Sequence, residues 1–345
     1  MTRTITYCQA INEALLEEMR LNDRVFVYGI DVGDHKKIYG SLNGMEEFGP
    51  DRCFSTPLCE DTLVGFGLGA AINGLVPVNI HLRMDFLLLA MNQLVNMVAN
   101  YKYGSGGKLR VPLTIRAVVG RTWGQSYQHS KSLHSVFAHI PGLKVVMPST
   151  PQDVKYLLKS AIRDEGPVLV IEHRLLYDFA GEVQSLPSIP LGSGRILRSG
   201  KDITVIATSW MNVEALKAAE ILETAGVDVE IIDPRTIYPL DEELIIQSVT
   251  KTRKCIVAEL DWLNCGFSAE VATLISEKCF GNLDSPVKRI GFAPTHCPAA
   301  RSLEDIFYPN AADIIRAVEA KLDLKPMDIS REDFYNHVNK FKGPF

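Results

Sequence analysis

Glu60 is the acid whose surroundings best suit proton chemistry. Leu58 and Cys59 precede it, and Gly65-Phe-Gly67-Leu-Gly69-Ala70 follows, so a carboxyl group opens a run of small apolar residues. An acid among apolar neighbours can hold and share a proton. An acid at a helix start also complements the helix dipole, and the residues alone leave both readings open. His129 is the second candidate. It sits in Gln128-His129-Ser130, after a loop containing Trp123 and Gln125 and before a helix. A side chain that titrates near neutrality suits general acid–base work, and a loop histidine is equally often structural or solvated.

The glycine run matches GxGxxA, but a dinucleotide fingerprint needs a strand directly before the first glycine. Cys59-Glu60-Asp61-Thr62 reads instead as a loop and a helix start. The run is therefore a helix with a small-residue face, open to close approach by another helix, most simply one of another subunit. GxxxxGK[ST], HExxH and GxSxG do not occur, so the phosphate-loop, zinc-protease and hydrolase-elbow signatures are missing. The seven cysteines (8, 53, 59, 255, 265, 279 and 297) form no CxxC pair. An odd, scattered set fits neither a disulfide framework nor a zinc module and points to a reducing compartment, cytoplasmic or other.

The elements that must position these residues alternate between two kinds. Apolar runs at 24–31, 76–82, 111–118, 143–147 and 168–173 read as buried strands, with helices predicted over 7–20, 60–73, 85–101, 132–139 and 151–163. Two Pro, three Gly and three Ser break the pattern between 186 and 200. The alternation then restarts, with strands at 203–208, 227–233, 255–260 and 287–290 and helices at 212–225, 241–250, 268–279 and 311–321. The expected fold class is α/β, as two open, mostly parallel sheets. Domains are expected at 1–185 and 201–325, with a linker at 186–200 and a polar, aromatic-containing tail at 326–345. At 345 residues the chain has room for two cores. With 36 basic against 41 acidic residues, net −5, it lacks the excess charge of a nucleic-acid binder, and no run approaches the ~20 apolar residues of a membrane span.

Several ordered strings resemble one family. Thr56-Pro-Leu-Cys-Glu60 resembles the TPxxE segment of the β subunits of thiamine-diphosphate-dependent 2-oxo acid dehydrogenases, the decarboxylating components of the pyruvate, acetoin and branched-chain complexes. Gln128-His129-Ser130 is similar to their QHS, residues 139–146 to HxPGLKVV, and residues 159–164 to KSAIRD. Ala258-Glu259, Ala269-Glu270-Val271 and Leu303-Glu-Asp305 fit later landmarks, so the resemblance spans about residues 1–322. It implies a pyrimidine-binding domain followed by a transketolase C-terminal-like domain. It also implies that Glu60 hydrogen-bonds the aminopyrimidine ring of the cofactor. Phe86 would stack on that ring, and Leu82 would stand where the family often has Met. His129 would assist acyl transfer to a lipoyl arm. The GDG…N motif that holds the diphosphate through Mg2+ does not occur here; in the family it lies on a separate α subunit. An obligate α partner, an α2β2 heterotetramer and an association with a lipoyl acyltransferase follow. A structural K+ site would fall on Leu113, Ala161, Asp164 and Gly166, where Gly166 replaces a usual Asn.

The departures concern substrate. Arg83 stands in Ile80-His-Leu-Arg-Met84, where the family commonly has a small polar residue. It would bind an anionic substrate group or pair with Asp85 or Asp61. Residues 120–125, with Trp123 and Gln125, replace a stretch often rich in Gly and Ala, and residues 294–301 depart from PxPxxxxLE. With His129, these residues are the candidate substrate contacts. The expected function is the β subunit of a decarboxylating 2-oxo acid dehydrogenase. The alternatives are a carboligase or transketolase-like half-enzyme that passes the activated aldehyde to a carbonyl acceptor, and a non-catalytic stabilising subunit.

Overall fold

A computed structural model describes residues 2–35, 37–120 and 124–334. Among these the first strands are β1 (Arg3–Thr6), β2 (Val25–Gly29), β3 (Cys53–Ser55), β4 (Val76–His81), β5 (Thr114–Val119), β6 (Lys144–Val146), β7 (Val168–His173) and β8 (Ala180–Val183). They are followed by β9 (Arg195–Arg198), β10 (Ile203–Ala207), β11 (Val229–Asp233), β12 (Thr236–Tyr238), β13 (Cys255–Ala258) and β14 (Lys288–Ile290). The α-helices are α1 (Tyr7–Leu21), α2 (Glu60–Ile72), α3 (Met84–Leu87), α4 (Ala99–Gly104), α5 (His134–Ala138) and α6 (Pro151–Arg163). Then come α7 (Trp210–Glu223), α8 (Glu242–Thr252), α9 (Phe267–Lys278), α10 (Arg301–Phe307) and α11 (Ala311–Leu322).

The chain divides into two compact units. The first is Met1–Gly120, Val136–Leu191 and Thr236–Pro239, and the second is Arg121–Ser135, Gly192–Arg235 and Leu240–Phe345. The first holds a seven-stranded sheet in the order β12-β6-β7-β5-β4-β2-β3. It is parallel except for β12, which runs antiparallel to β6. Every residue of β2, β4, β5 and β7 is buried, as expected of a parallel sheet covered on both faces. The helices start on local signals. Thr6 and Gln9 cap α1 reciprocally, and Thr150 caps α6 with Pro151 in its first turn. These two helices are tied by Lys155 to Glu13 and Glu17 and by Arg163 to Glu18.

The second unit's sheet runs β14-β13-β10-β11-β9, parallel except for β9 on β11. Its core joins β10, β11 and β13 to the apolar faces of α7 and α11. Both sheets bear out the expected α/β class. Short edge strands such as β1, β3, β8 and β12, and the short helix α10, add to the expected set, and two further differences from the sequence pattern have a physical reason. β9 lies inside 186–200, because its short edge pairing needs no apolar run. The helix predicted over 85–101 is one helical stretch in changing register: α3, a 3₁₀ turn at Leu88–Ala90, a π-helical segment at Asn92–Val98, and α4. Periodicity reports the face of such a stretch, not its hydrogen-bond register. No helix among the described residues is long and apolar enough to cross a membrane.

Candidate functional site

In the first unit the chain leaves β2 toward β3 and then returns to the other side of β2 as β4. The crevice outside the carboxyl ends of β2 and β4 is therefore a topological switch point, where open α/β sheets bind ligands. Gly29 ends β2 with φ +148, and a Cβ there would lie 2.4 Å from the Ile80 carbonyl oxygen. Only glycine lets the two strand ends approach so closely. Thr56 N–H donates to the Gly29 carbonyl at 3.0 Å, which aims the 56–60 segment at this crevice.

Glu60 is the first residue of α2 and is 7% exposed. Among the described residues its carboxylate has no hydrogen-bond or ion-pair partner. The dipole-complementing acid is its neighbour. Asp61 accepts from Thr62 N–H at 2.6 Å and from Cys59 Sγ at 3.1 Å. Those bonds, the one from Cys59 foremost, hold the Asp61 carboxyl below its ordinary range. Helix α2 packs on β4 and on the 84–98 helical stretch. Leu82 and Phe86, both half-buried, follow β4 directly, so Glu60, Leu82 and Phe86 belong to mutually packed elements of one unit. Arg83 is the residue before α3 and is 6% exposed. Its Nη1 donates to the Gly120 carbonyl at 2.9 Å, tying the end of β4 to that of β5. Gly120 has φ +101, and a Cβ there would lie 2.6 Å from His173 Nε2.

In the second unit, Gln125 is half-buried, its buried Oε1 without a partner among the described residues, and half-buried His129 follows the turn Ser126–Gln128. Trp123 lies outside the described residues. Sequence reasoning missed a buried cluster in this unit: His134 Nε2 lies 2.8 Å from Glu259 Oε2, and Nδ1 lies 3.8 Å from Asp261. Burial alone would lower the His134 pKa, but the Glu259 bond and the Asp261 charge outweigh it and raise it. Only the Ala258-Glu259 landmark hinted at this cluster, since 125 residues separate the partners.

Of the residues expected to hold K+, Leu113 and Ala161 offer carbonyls that already accept from Val168 and Asp164 N–H at 3.0 and 3.2 Å. Asp164 accepts from Gly166 N–H at 2.8 Å and from the Lys144 ammonium at 2.5 Å.

Comparisons with known proteins agree with this architecture. The family described as transketolase, pyrimidine binding domain, matches residues 3–179, and that described as transketolase, C-terminal domain, matches 192–314. The chain is 39% identical to the pyruvate dehydrogenase E1 component subunit beta of Rhizobium meliloti (strain 1021), over 92% of this chain and 70% of that one. It is 41% identical to the 2-oxoisovalerate dehydrogenase subunit beta of Bacillus subtilis (strain 168), over 89% and 95%. A mitochondrial pyruvate dehydrogenase E1 subunit beta of Pisum sativum is 39% identical over 92% and 90%. Among solved structures, a split-gene transketolase described as an inactive beta4 tetramer superposes with a TM-score of 0.76, covering 93% of this chain and 99% of that one. At 24% identity it speaks to the fold. Two transketolase-type domains in this order, together with such identity across nine-tenths of the chain, make this protein a member of the β-subunit family of thiamine-diphosphate-dependent 2-oxo acid dehydrogenases.

Proposed function

We propose that this chain supplies the aminopyrimidine half of a decarboxylating site, with Glu60 and His129 as its proton-handling residues and an α subunit completing it. The observation that carries this reading is the Glu60 carboxylate: buried, at a strand-end crevice, and without a partner among the described residues. A carboxylate on a residue only 7% exposed, with no protein donor among the described residues, suits a ligand that supplies the missing donor. The aminopyrimidine of thiamine diphosphate has that donor, and the Phe86 ring and Leu82 offer apolar surface beside it. When bound, the cofactor supplies a thiazolium that takes up the electrons released as CO2 leaves. The chain contributes positioning and proton traffic. Glu60 holds a proton and returns it at its carboxylate, α2 packs on β4 and so fixes the helix start that carries it, and His129 gives or takes a proton as the acyl group passes to a lipoyl acceptor.

Diphosphate and Mg2+ belong on the α partner, because this chain lacks GDG…N. An α2β2 heterotetramer is the arrangement we propose, in a reducing compartment suited to seven free cysteines. The Arg83 guanidinium, which ties the end of β4 to that of β5, is the cation we propose to face an anionic group on the substrate.

The test is the assembly purified with its α partner and assayed on pyruvate and 2-oxoisovalerate with thiamine diphosphate and Mg2+. Glu60→Gln should lower decarboxylation at least ~100-fold while assembly and secondary structure stay unchanged. Undiminished turnover would instead favour a stabilising subunit. A carbon–carbon-bonded product without lipoamide acylation would favour the carboligase.

A further inference from the structure

The segment carrying His129 is fastened at four points within the second unit. Ser126 Oγ donates to the Cys297 carbonyl and the Tyr308 hydroxyl donates to the Ser130 carbonyl, both at a long 3.4 Å. Ser135 Oγ donates to Asp261 Oδ2 at 2.5 Å. The fourth point is His134 on Glu259, with both side chains fully buried. The backbone between these points needs holding, because Ser126 (φ +57) and Leu133 (φ +49) are left-handed non-glycine residues on either side of His129. Such conformations persist only where the surroundings over-determine them.

The hydrogen bonding of the cluster says what His134 is. His134 Nδ1 lies 3.2 Å from Ser132 Oγ. Glu259 Oε1 accepts from Ser268 N–H at 2.7 Å, and Asp261 Oδ1 accepts from Trp262 N–H at 2.9 Å. Besides the imidazole, the charged groups facing it are Glu259 and Asp261, and the Phe267 ring lies 6.3 Å away. One ligand atom from each of His134, Glu259 and Asp261 lies within 4.8 Å of the others, but the shortest contacts are to different ring nitrogens. Here Nε2 faces Glu259 and Nδ1 faces Asp261, on different sides of the ring. A doubly protonated ring between two carboxylates leaves the least uncompensated buried charge.

We propose that His134 is a positioning residue for acyl transfer: its imidazolium clamps the His129 segment to the carboxyl end of β13, so that His129 presents one orientation to the acceptor. The proposal rests on the role given to His129 above. Loss of the ring proton as pH rises through its raised pKa releases the clamp.

The experiment uses the assembly with its α partner and two readouts. One is oxidation of pyruvate or 2-oxoisovalerate with ferricyanide, which bypasses acyl transfer; the other is acyl transfer to free lipoamide. His134→Gln and Glu259→Gln should each lower lipoamide kcat tenfold or more with KM nearly constant, while ferricyanide turnover stays within threefold. The double variant should be no worse than the worse single. The alkaline limb of the wild-type lipoamide profile should be absent in His134→Gln. Lipoamide turnover within threefold of wild type in both single variants overturns the clamp, as do equal losses in both readouts. One equivalent of a bound transition metal that disappears in His134→Gln also overturns it. His129→Gln separates the two readings. If it leaves lipoamide turnover unchanged, the role of His129 fails; if it abolishes turnover and His134→Gln does not, only the clamp fails.

Discussion

Arg116 and Glu172 lie on neighbouring strands β5 and β7, at 1% and 0% exposure. Arg116 Nε and Nη2 donate to the two Glu172 oxygens at 2.5 and 2.9 Å. The Tyr177 hydroxyl donates to Glu172 at 2.6 Å, and Arg116 Nη2 also reaches Ser41 Oγ at 3.1 Å. The Tyr177 hydroxyl is accordingly pushed well above its ordinary pKa, chiefly by burial and then by the Glu172 charge. A pair of this kind contributes little net stability over an apolar pair of the same shape, yet either charge left alone is expensive. Glu172→Gln should therefore lower stability by ~3–5 kcal/mol, read from the denaturant midpoint. Replacing both members, with Arg116→Met and Glu172→Leu, should recover most of that loss. A double variant as unstable as Glu172→Gln would show that the network contributes more than charge compensation.

At the scale of elements, α2 shows how one helix serves two faces. A Cβ at Gly67 would lie 2.3 Å from Tyr28 Oη and 2.9 Å from Leu113 Cδ1, so Gly67 is where the helix meets the sheet. Tyr28 Oη donates to the Leu63 carbonyl at 2.8 Å from the same spot. Gly69 has nothing within 4 Å and Gly65 only Gln93 Cγ at 3.7 Å; four residues apart, they share a face. Gly67→Ala should destabilise the chain by ~1–3 kcal/mol through overpacking, and adding Tyr28→Phe should restore part of it. Gly65→Ala and Gly69→Ala should stabilise the isolated chain by ~0.5–1 kcal/mol. They should also weaken assembly with the α partner, measured by sedimentation, if that face meets another subunit as the small-residue run implies. The sequence showed this helix because small residues follow an acid without a break. It did not separate the inward glycine from the outward pair, because three glycines at spacing two carry no side chain to betray a face. Elsewhere, long buried strands were legible as apolar runs. β9 and β12 were not, since short antiparallel edges pair through backbone alone. Glu60 stood out among its apolar neighbours and took its role, like Phe86, from family strings, whereas the His134 clamp depends on a contact across 125 residues that no local pattern encodes.

Across the whole molecule, two buried histidines give the units opposite responses to pH. His81, in the first unit, is fully buried, with Nδ1 2.9 Å from Asn79 Oδ1. Burial pushes its pKa down from 6.5 to about 4. Between those values the unfolded chain takes up a proton that the folded unit refuses, so stability falls as pH drops from 6.5 toward 4. A shift of that size corresponds to ~3 kcal/mol, fully present above the unfolded value. His134, in the second unit, is raised above 6.5. Its contribution is whole below 6.5 and is lost as pH rises through the folded value. Trp210 and Trp262 belong to the second unit and report on it by fluorescence, while hydrogen exchange of β4 amides, corrected for intrinsic rates, reports on the first. Acidification from pH 6.5 to 4 should lower β4 protection while the tryptophan-detected denaturant midpoint holds. His81→Gln should remove that slope, leaving only the more acidic loss from Glu13 and Glu17, whose pKa values sit below the usual 4.5 because their bonds to Arg3, Lys155 and Lys159 outweigh their burial. If both probes fall together over the same range and His81→Gln changes neither, the two units share one titration and the separate roles of these histidines are wrong.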